Sequence, residues 1–222
     1  MKLKLVMTVL AAAALVFGSA AFAAEKAEGS SGKSWVQIFN GKNLDGWKIS
    51  KENPEKSFFV TEDGLLATEN GRAHLFYDGE AGNHNFKNFE WQLDVKTTPG
   101  SNSGLYFHTE YQEEGWPSKG YEAQINNTHK DWKKTGGLYS IVDVREPPAK
   151  DNEWFHYHIK VEGKRIVLKI NGKTTVDYTE PENPERPDNM AGRLLNGGTI
   201  AIQAHDPKSK TYFKNIWLKV ND

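Results

Sequence analysis

The chain has 222 residues and no cysteine, which excludes disulfide staples and thiolate metal centres. Its 28 basic and 29 acidic residues leave a net charge of −1, so composition offers no electrostatic footprint for nucleic acid or an anionic membrane as partner. Seven Trp among an aromatic share of 12% suit stacking on sugar faces, and suit core filling as well.

The first predicted element is a secretory signal peptide at 1–23. Lys2 and Lys4 form a positive start, Leu5 to Phe17 form an apolar run, and Ala21-Phe22-Ala23 fits the small-residue rule for cleavage before Ala24. The run is too short to span a bilayer, and no Cys stands at the cleavage point, so a lipoprotein anchor is excluded. The expectation is a periplasmic or secreted protein, with no membrane contact after cleavage. Taking Lys2 and Lys4 from the 28 basic residues leaves 26 against 29 acidic, a net of −3. A polar, Ser- and Gly-rich leader at 24–33 follows. From there the texture is uniform, without linker or repeat, and 34–222 reads as one domain.

Short alternating runs then dominate. The predicted strands are Trp35–Phe39, Phe58–Val60, Leu65–Thr68, Ala73–Tyr77, a run from Phe89 to Val95, Ser103–Thr109 and Tyr121–Ile125. Phe155 to Val161 places Phe155, Tyr157, Ile159 and Val161 on one face and Trp154, His156, His158 and Lys160 on the other. Ile166–Ile170 leads through the Asn171-Gly172 turn into Thr174–Tyr178, and Gly198–Ala204 and Tyr212–Val220 close the chain. About a dozen strands without helical periodicity predict a two-sheet antiparallel β-sandwich of the jelly-roll, lectin-like kind. Tyr178 to Leu195, with Pro181, Pro184 and Pro187, is expected to be a long surface loop of the sort that borders a site.

The most informative strand is Tyr121 to Asn126. Tyr121, Ala123 and Ile125 should face the core, and Glu122, Gln124 and Asn126 the outside. Sandwich glycosidases of the laminarinase type carry Glu-x-Asp-x-Glu in this arrangement; here the second and third positions are neutral amides. One carboxylate cannot act both as nucleophile and as acid, so an ordinary retaining mechanism is disfavoured. Gly104, Tyr106 and His108 share a predicted strand face, with Gly104 leaving room for a ligand or marking a bulge. Thr199, Ala201, Gln203 and His205 share another, suited to a ligand floor or to a plain polar surface. Trp116, Trp132 and Tyr139 fall in loops nearby, as sugar platforms or as plugs of the sandwich ends. His156 and His158 have spacing open to a metal, but no third ligand lies near in sequence.

Phe39 to Trp47 (FNGKNLDGW), Asn88-Phe89-Glu90, Ser101 to Phe107 (SNSGLYF), Gly120 to Ile125 (GYEAQI), Gly137-Leu138-Tyr139, Glu153-Trp154, Asn171-Gly172, Gly198–His205 and Phe213 to Ile216 (FKNI) resemble, in order, the signature of the 3-keto-disaccharide hydrolase family. The resemblance implies a concanavalin A-like jelly roll, and cleavage of glycosides that a separate sugar 3-dehydrogenase has oxidised at C3. The ketone acidifies the C2 proton, so one base and a stabiliser of the enolate oxygen suffice. On this resemblance Glu122 is the candidate base and His205 assists the leaving group. His108, Gln124, Asn126, Trp116, Trp132, Tyr139 and Gln203 are the candidate substrate contacts, with a divalent metal as an open alternative for holding the oxyanion. A non-catalytic carbohydrate-binding domain is the competing expectation.

Overall fold

The structure is a computed structural model that describes residues 34–53 and 55–222; the expected signal peptide at 1–23 and leader at 24–33 lie outside the described residues. In chain order the strands are β1 (Val36–Gln37), β2 (Trp47–Ile49), β3 (Phe58–Val60), β4 (Leu66–Thr68), β5 (Ala73–Tyr77), β6 (Phe89–Thr97), β7 (Asn102–Thr109) and β8 (Tyr121–Asn126). Then come β9 (Lys134–Leu138), β10 (Val142–Val144), β11 (Phe155–Glu162), β12 (Arg165–Ile170), β13 (Lys173–Thr179), β14 (Thr199–Ala204) and β15 (Thr211–Val220). They form two antiparallel sheets, one in the order β13-β12-β11-β6-β15-β4-β3 with β1 beside β15, the other β10-β9-β8-β7-β14-β5-β2. This is the expected two-sheet jelly roll.

Alternation explains the core. Phe89, Trp91, Leu93 and Val95 of β6 and Tyr157, Ile159 and Val161 of β11 are fully buried. From the other sheet Tyr121, Ala123 and Ile125 of β8 and Ile200 and Ile202 of β14 join the same apolar cluster. Each such side chain removed from water contributes about 1.5–3 kcal/mol, and both sheets spend every second residue on it.

Three strands were not expected from sequence: β2, β9 and β10. The β9 stretch carries Gly136 and Gly137, which read as loop because glycine disfavours a strand interior. They are there because neighbours approach closely. A Cβ on Gly137 would stand 3.0 Å from Val144 N, and one on Gly136 would stand 2.9 Å from Thr175 Oγ1, whose hydroxyl donates to Gly136 O at 2.7 Å.

Two bulges break the simple alternation. In β7 the register against β14 passes from Phe107↔Ile200 to Thr109↔Thr199, leaving His108 unopposed at φ +54°. In β15 the register shifts between Lys214 and Trp217, with Asn215 at φ +51°. There Phe213 faces the core and so does Ile216, a change of parity that an added residue produces.

Candidate active site

Loops cover the outer face of the seven-stranded sheet, and two cavities open beneath them. The first, of about 480 Å³, is lined by Glu122 and Gln124 of β8, Asn102 and Tyr106 of β7, and Gln203 with His205 at the end of β14. The loop before β8 adds Trp116, Pro117 and Ser118, the β8–β9 connection adds Asp131, and Tyr139 follows β9. Asn189, Met190 and Arg193 come from the long loop after β13.

Glu122 sits at the centre, 5% exposed. Arg193 Nη2 donates to its Oε2 at 3.2 Å, and Gln203 Nε2 donates to its Oε1 at 2.9 Å. Gly104 supplies the space: a Cβ there would lie 2.4 Å from Glu122 Oε1. The bare strand face expected to admit a ligand thus admits this carboxylate. Burial works to lower the pKa of Arg193, but Glu122 and the neighbouring Tyr106 raise it overall, so the guanidinium stays charged. Burial pushes Tyr106 well above its ordinary value and, with the charges of Asp131 and Glu122, takes Tyr139 up to about 12. Both remain neutral phenols.

The loop that delivers Arg193 is strapped down. Arg186 Nη2 donates to Tyr121 Oη at 2.7 Å and to Tyr178 Oη at 3.0 Å. Tyr121 Oη donates to Glu180 Oε2 at 2.6 Å, which also accepts from Leu195 N at 2.9 Å. Lys164 Nζ closes the chain on Glu180 Oε1 at 2.7 Å. Gly192 passes so near Ser118 that a Cβ would lie 2.0 Å from Ser118 O.

Among the described residues, three buried polar atoms of this lining have no hydrogen-bond partner: Gln124 Oε1, Gln203 Oε1 and Arg193 Nη1. Just behind Trp116 and Tyr106, at ring distances of 5.6 and 5.5 Å, His74 Nε2 is a fourth. Burial, with Arg72 and His205 adding to it, lowers the pKa of His74 to about 3. Buried donors and acceptors left unmade cost about 1–3 kcal/mol each, so their convergence on one cavity marks a place prepared for a polar ligand. The second cavity, of about 520 Å³ under β5, β7 and β14, contains one such atom, Thr109 Oγ1.

The expected site residues divide accordingly. Glu122, Gln124, Gln203, His205, Trp116 and Tyr139 are brought together. His108 is not: the bulge turns its ring away, Gly197 N–H donates to Nδ1 at 3.2 Å, and Nε2 meets Lys87 O at 3.0 Å. Burial lowers its pKa to about 4, and it borders the second cavity. Asn126 faces outward as expected but is fully buried, its Nδ2 donating to Asp131 O at 2.9 Å and Lys133 O at 2.7 Å; it shapes the β8–β9 connection. Trp132 is 47% exposed and stacks near Arg145, 4.4 Å from its ring centre, outside the lining. Its neighbour Asp131 points in instead. His156 and His158 lie on the other sheet, paired with Asp94 at 2.9 Å and Glu90 at 3.0 Å. Sequence reasoning missed Arg193 and Asp131, and placed Tyr106 on the Gly104 face without giving it a role; for Arg193 the only signal was its place in the Pro-rich loop.

Residues 34–219 match the model of the 3-keto-alpha-glucoside-1,2-lyase-like domain. A 3-keto-disaccharide hydrolase of Bacteroides thetaiotaomicron is 25% identical over 85% of this chain and 79% of its own. Two solved structures from Parabacteroides distasonis, of proteins named as candidate glycosyl hydrolases, superpose with TM-scores of 0.70 and 0.66 at 23% and 24% identity. Each covers 85% of this chain, and 94% and 100% of the respective neighbours. At that identity the likeness speaks for the fold alone.

Proposed function

The chain belongs to the 3-keto-alpha-glucoside-1,2-lyase-like family, and from that premise we propose that the Glu122 cavity cleaves 3-keto-glycosides, a 3-keto-disaccharide being the model substrate. The observation that carries this is the set of unpartnered buried atoms around a single ion-paired carboxylate. A ring rich in hydroxyls and bearing a carbonyl supplies the missing partners: its hydroxyls donate to Gln124 Oε1 and Gln203 Oε1, and its oxygens accept from Arg193 Nη1. Trp116, 42% exposed at the mouth, offers an apolar ring face.

In this reading Glu122 takes the C2 proton, which the neighbouring C3 ketone makes acidic by delocalising the electron pair left on C2. Charge collects on the C3 oxygen, where the free N–H of Arg193 meets it. The electron pair then forms C1=C2 as the C1–O bond breaks, and the aglycone oxygen leaves with the proton that Glu122 took, which returns Glu122 to its carboxylate. Water adding across that double bond, OH to C1 and H to C2, gives net hydrolysis. Arg193 keeps Glu122 in place beforehand, so the base is oriented before the substrate arrives.

The test is turnover of a 3-keto-disaccharide beside its unoxidised parent. Product from the keto sugar alone is expected. Glu122→Gln should lower kcat by about 10²–10⁴, the usual worth of a positioned base, with binding retained. Saturable binding of the keto sugar without product would instead make this a carbohydrate-binding domain, and turnover of the parent would overturn the elimination chemistry. Export belongs to the same proposal: N-terminal sequencing of chain recovered from the cell envelope or medium should begin at Ala24, and a chain retaining Met1 in the cytoplasm would refute it.

A further inference from the structure

We propose that His129, His205 and Asp206 form a divalent transition-metal site at the wall of the Glu122 cavity. One ligand atom from each of the three lies within 4.8 Å of the others. His129 comes from the β8–β9 connection, and His205 and Asp206 come directly after β14. β7 runs between β8 and β14, antiparallel to both, so the ends of β8 and β14 meet at one edge of the sheet. The two imidazoles stand 5.4 Å apart, edge to face.

The surroundings orient the donors as a metal site requires. The Asp206 carboxylate accepts from Lys208 N at 2.9 Å and Ser209 Oγ at 2.6 Å, contacts of the kind that fix a ligating group; His205 Nδ1 stands 2.9 Å from Asp206 Oδ2, a contact that an ion bound between the two would replace. Among the described residues no Lys or Arg side chain forms an ion pair with it; its only such partner is His205. The His129 ring is held by long contacts alone, from Asp131 N at 3.2 Å and Asn102 Nδ2 at 3.4 Å, both at Nδ1. A metal bond outweighs either. Two nitrogens and one oxygen with no thiolate are the donor set of ions such as Zn²⁺, Mn²⁺ and Co²⁺, leaving positions open for exogenous oxygen ligands. With bonds of about 2.1 Å the donors would stand roughly 3 Å apart, so side-chain rotation in these loops must close the group on the ion.

The other paired histidines make the contrast. His156 and His158 are each paired with a carboxylate of the neighbouring strand, as His205 is with Asp206, but among the described residues no third ligand gathers with them. Because His205 also lines the cavity, the open positions face the ligand space. There an ion would hold adjacent oxygens of the sugar; that role alone rests on the keto-glycoside reading, while the site does not.

The test uses untagged full-length chain treated with EDTA and then freed of it. Titration with Co²⁺, followed by visible absorption, and with Zn²⁺ by calorimetry should give one ion per chain. His129→Gln and Asp206→Asn should each weaken binding at least about 10-fold, and His156→Gln should leave it unchanged. In the unaltered chain, Mn²⁺ should broaden the imidazole signals of His129 and His205 before those of the other histidines, a readout that needs no variant to fold. Absence of saturable binding up to about 1 mM, binding unaffected by both variants, or broadening centred on His156 and His158 would each overturn the site. No sugar enters these measurements. Metal binding without turnover would sink the keto-glycoside reading and leave the site, and turnover by chain that binds no metal would do the reverse.

Discussion

The outer faces of the two sheets begin from the same sequence rule and end differently. On the eight-stranded sheet, every second residue of β6 and β11 is polar and half-buried except the exposed Glu162, and these side chains find partners on adjacent strands: His156 with Asp94, His158 and Lys219 with Glu90. On the seven-stranded sheet every residue of β7, β8 and β14 is buried on both faces. Its outward polar residues are roofed by loops, and several of their atoms are left without a partner. A solvated face satisfies its polar groups locally and cheaply. A covered face that does not satisfy them has given up stability for something it binds.

That contrast can be broken by variants on each face. The largest effect is expected from Arg193→Met. It leaves the buried Glu122 carboxylate without its cationic partner, and losing one partner of a buried pair costs about 3–5 kcal/mol. Urea denaturation should show that loss together with loss of turnover. Unchanged stability would mean that water reaches the roofed face.

Next is Glu180→Gln, which removes the charge that ties Tyr121, Lys164 and Leu195 to the loop carrying Arg193. A loss of about 1–3 kcal/mol is expected at pH 7. Burial works to raise the Glu180 pKa, but the hydrogen bonds from Lys164, Tyr121 and Leu195 N lower it overall. A carboxyl depressed on folding contributes stability above its unfolded value, near 4.3, and loses it as pH falls through the folded value. The gap between the two proteins should therefore narrow below about pH 4, which denaturation midpoints at several pH values will check.

His74 has the opposite kind of linkage. Its folded pKa of about 3 lies below the unfolded value near 6.5, so the unfolded chain binds the proton first and stability falls as pH drops below about 6.5. The wild-type chain should be about 2 kcal/mol less stable at pH 5 than at neutrality from this group, and His74→Phe should flatten that part of the profile. The smallest effect is reserved for the solvated face: His158→Gln should cost no more than about 1 kcal/mol and leave turnover untouched. A large effect there would erase the distinction between the faces.

The strand alternation and the polar side of β8 and β14 were legible because a strand's side-chain period is two and needs only neighbouring residues to read. Glu122, Gln124 and Gln203 were placed on the outward face that way, and they line one cavity. His108 was misread because one residue at positive φ reverses the parity of the residues after it, and Gly104, the residue that could have marked a bulge, lies four positions before the one that forms it. Asn126 was placed on the correct side, but the turn of the following residues over it decided that it would support a loop. Arg193 lies 71 positions from Glu122, in a loop whose composition says only that it is exposed and irregular.

From its residues alone the chain could be read as a two-sheet antiparallel sandwich with one carboxylate looking outward between amides, since both follow from local backbone geometry and the need to bury alternate apolar side chains. Which outward face is roofed, which guanidinium meets Glu122, and which histidines gather beside Asp206 were settled only by the folded chain. Those pairings depend on loops whose paths are set by long-range packing and by straps such as Glu180 and Arg186, and such contacts carry no periodic signature that a sequence can display.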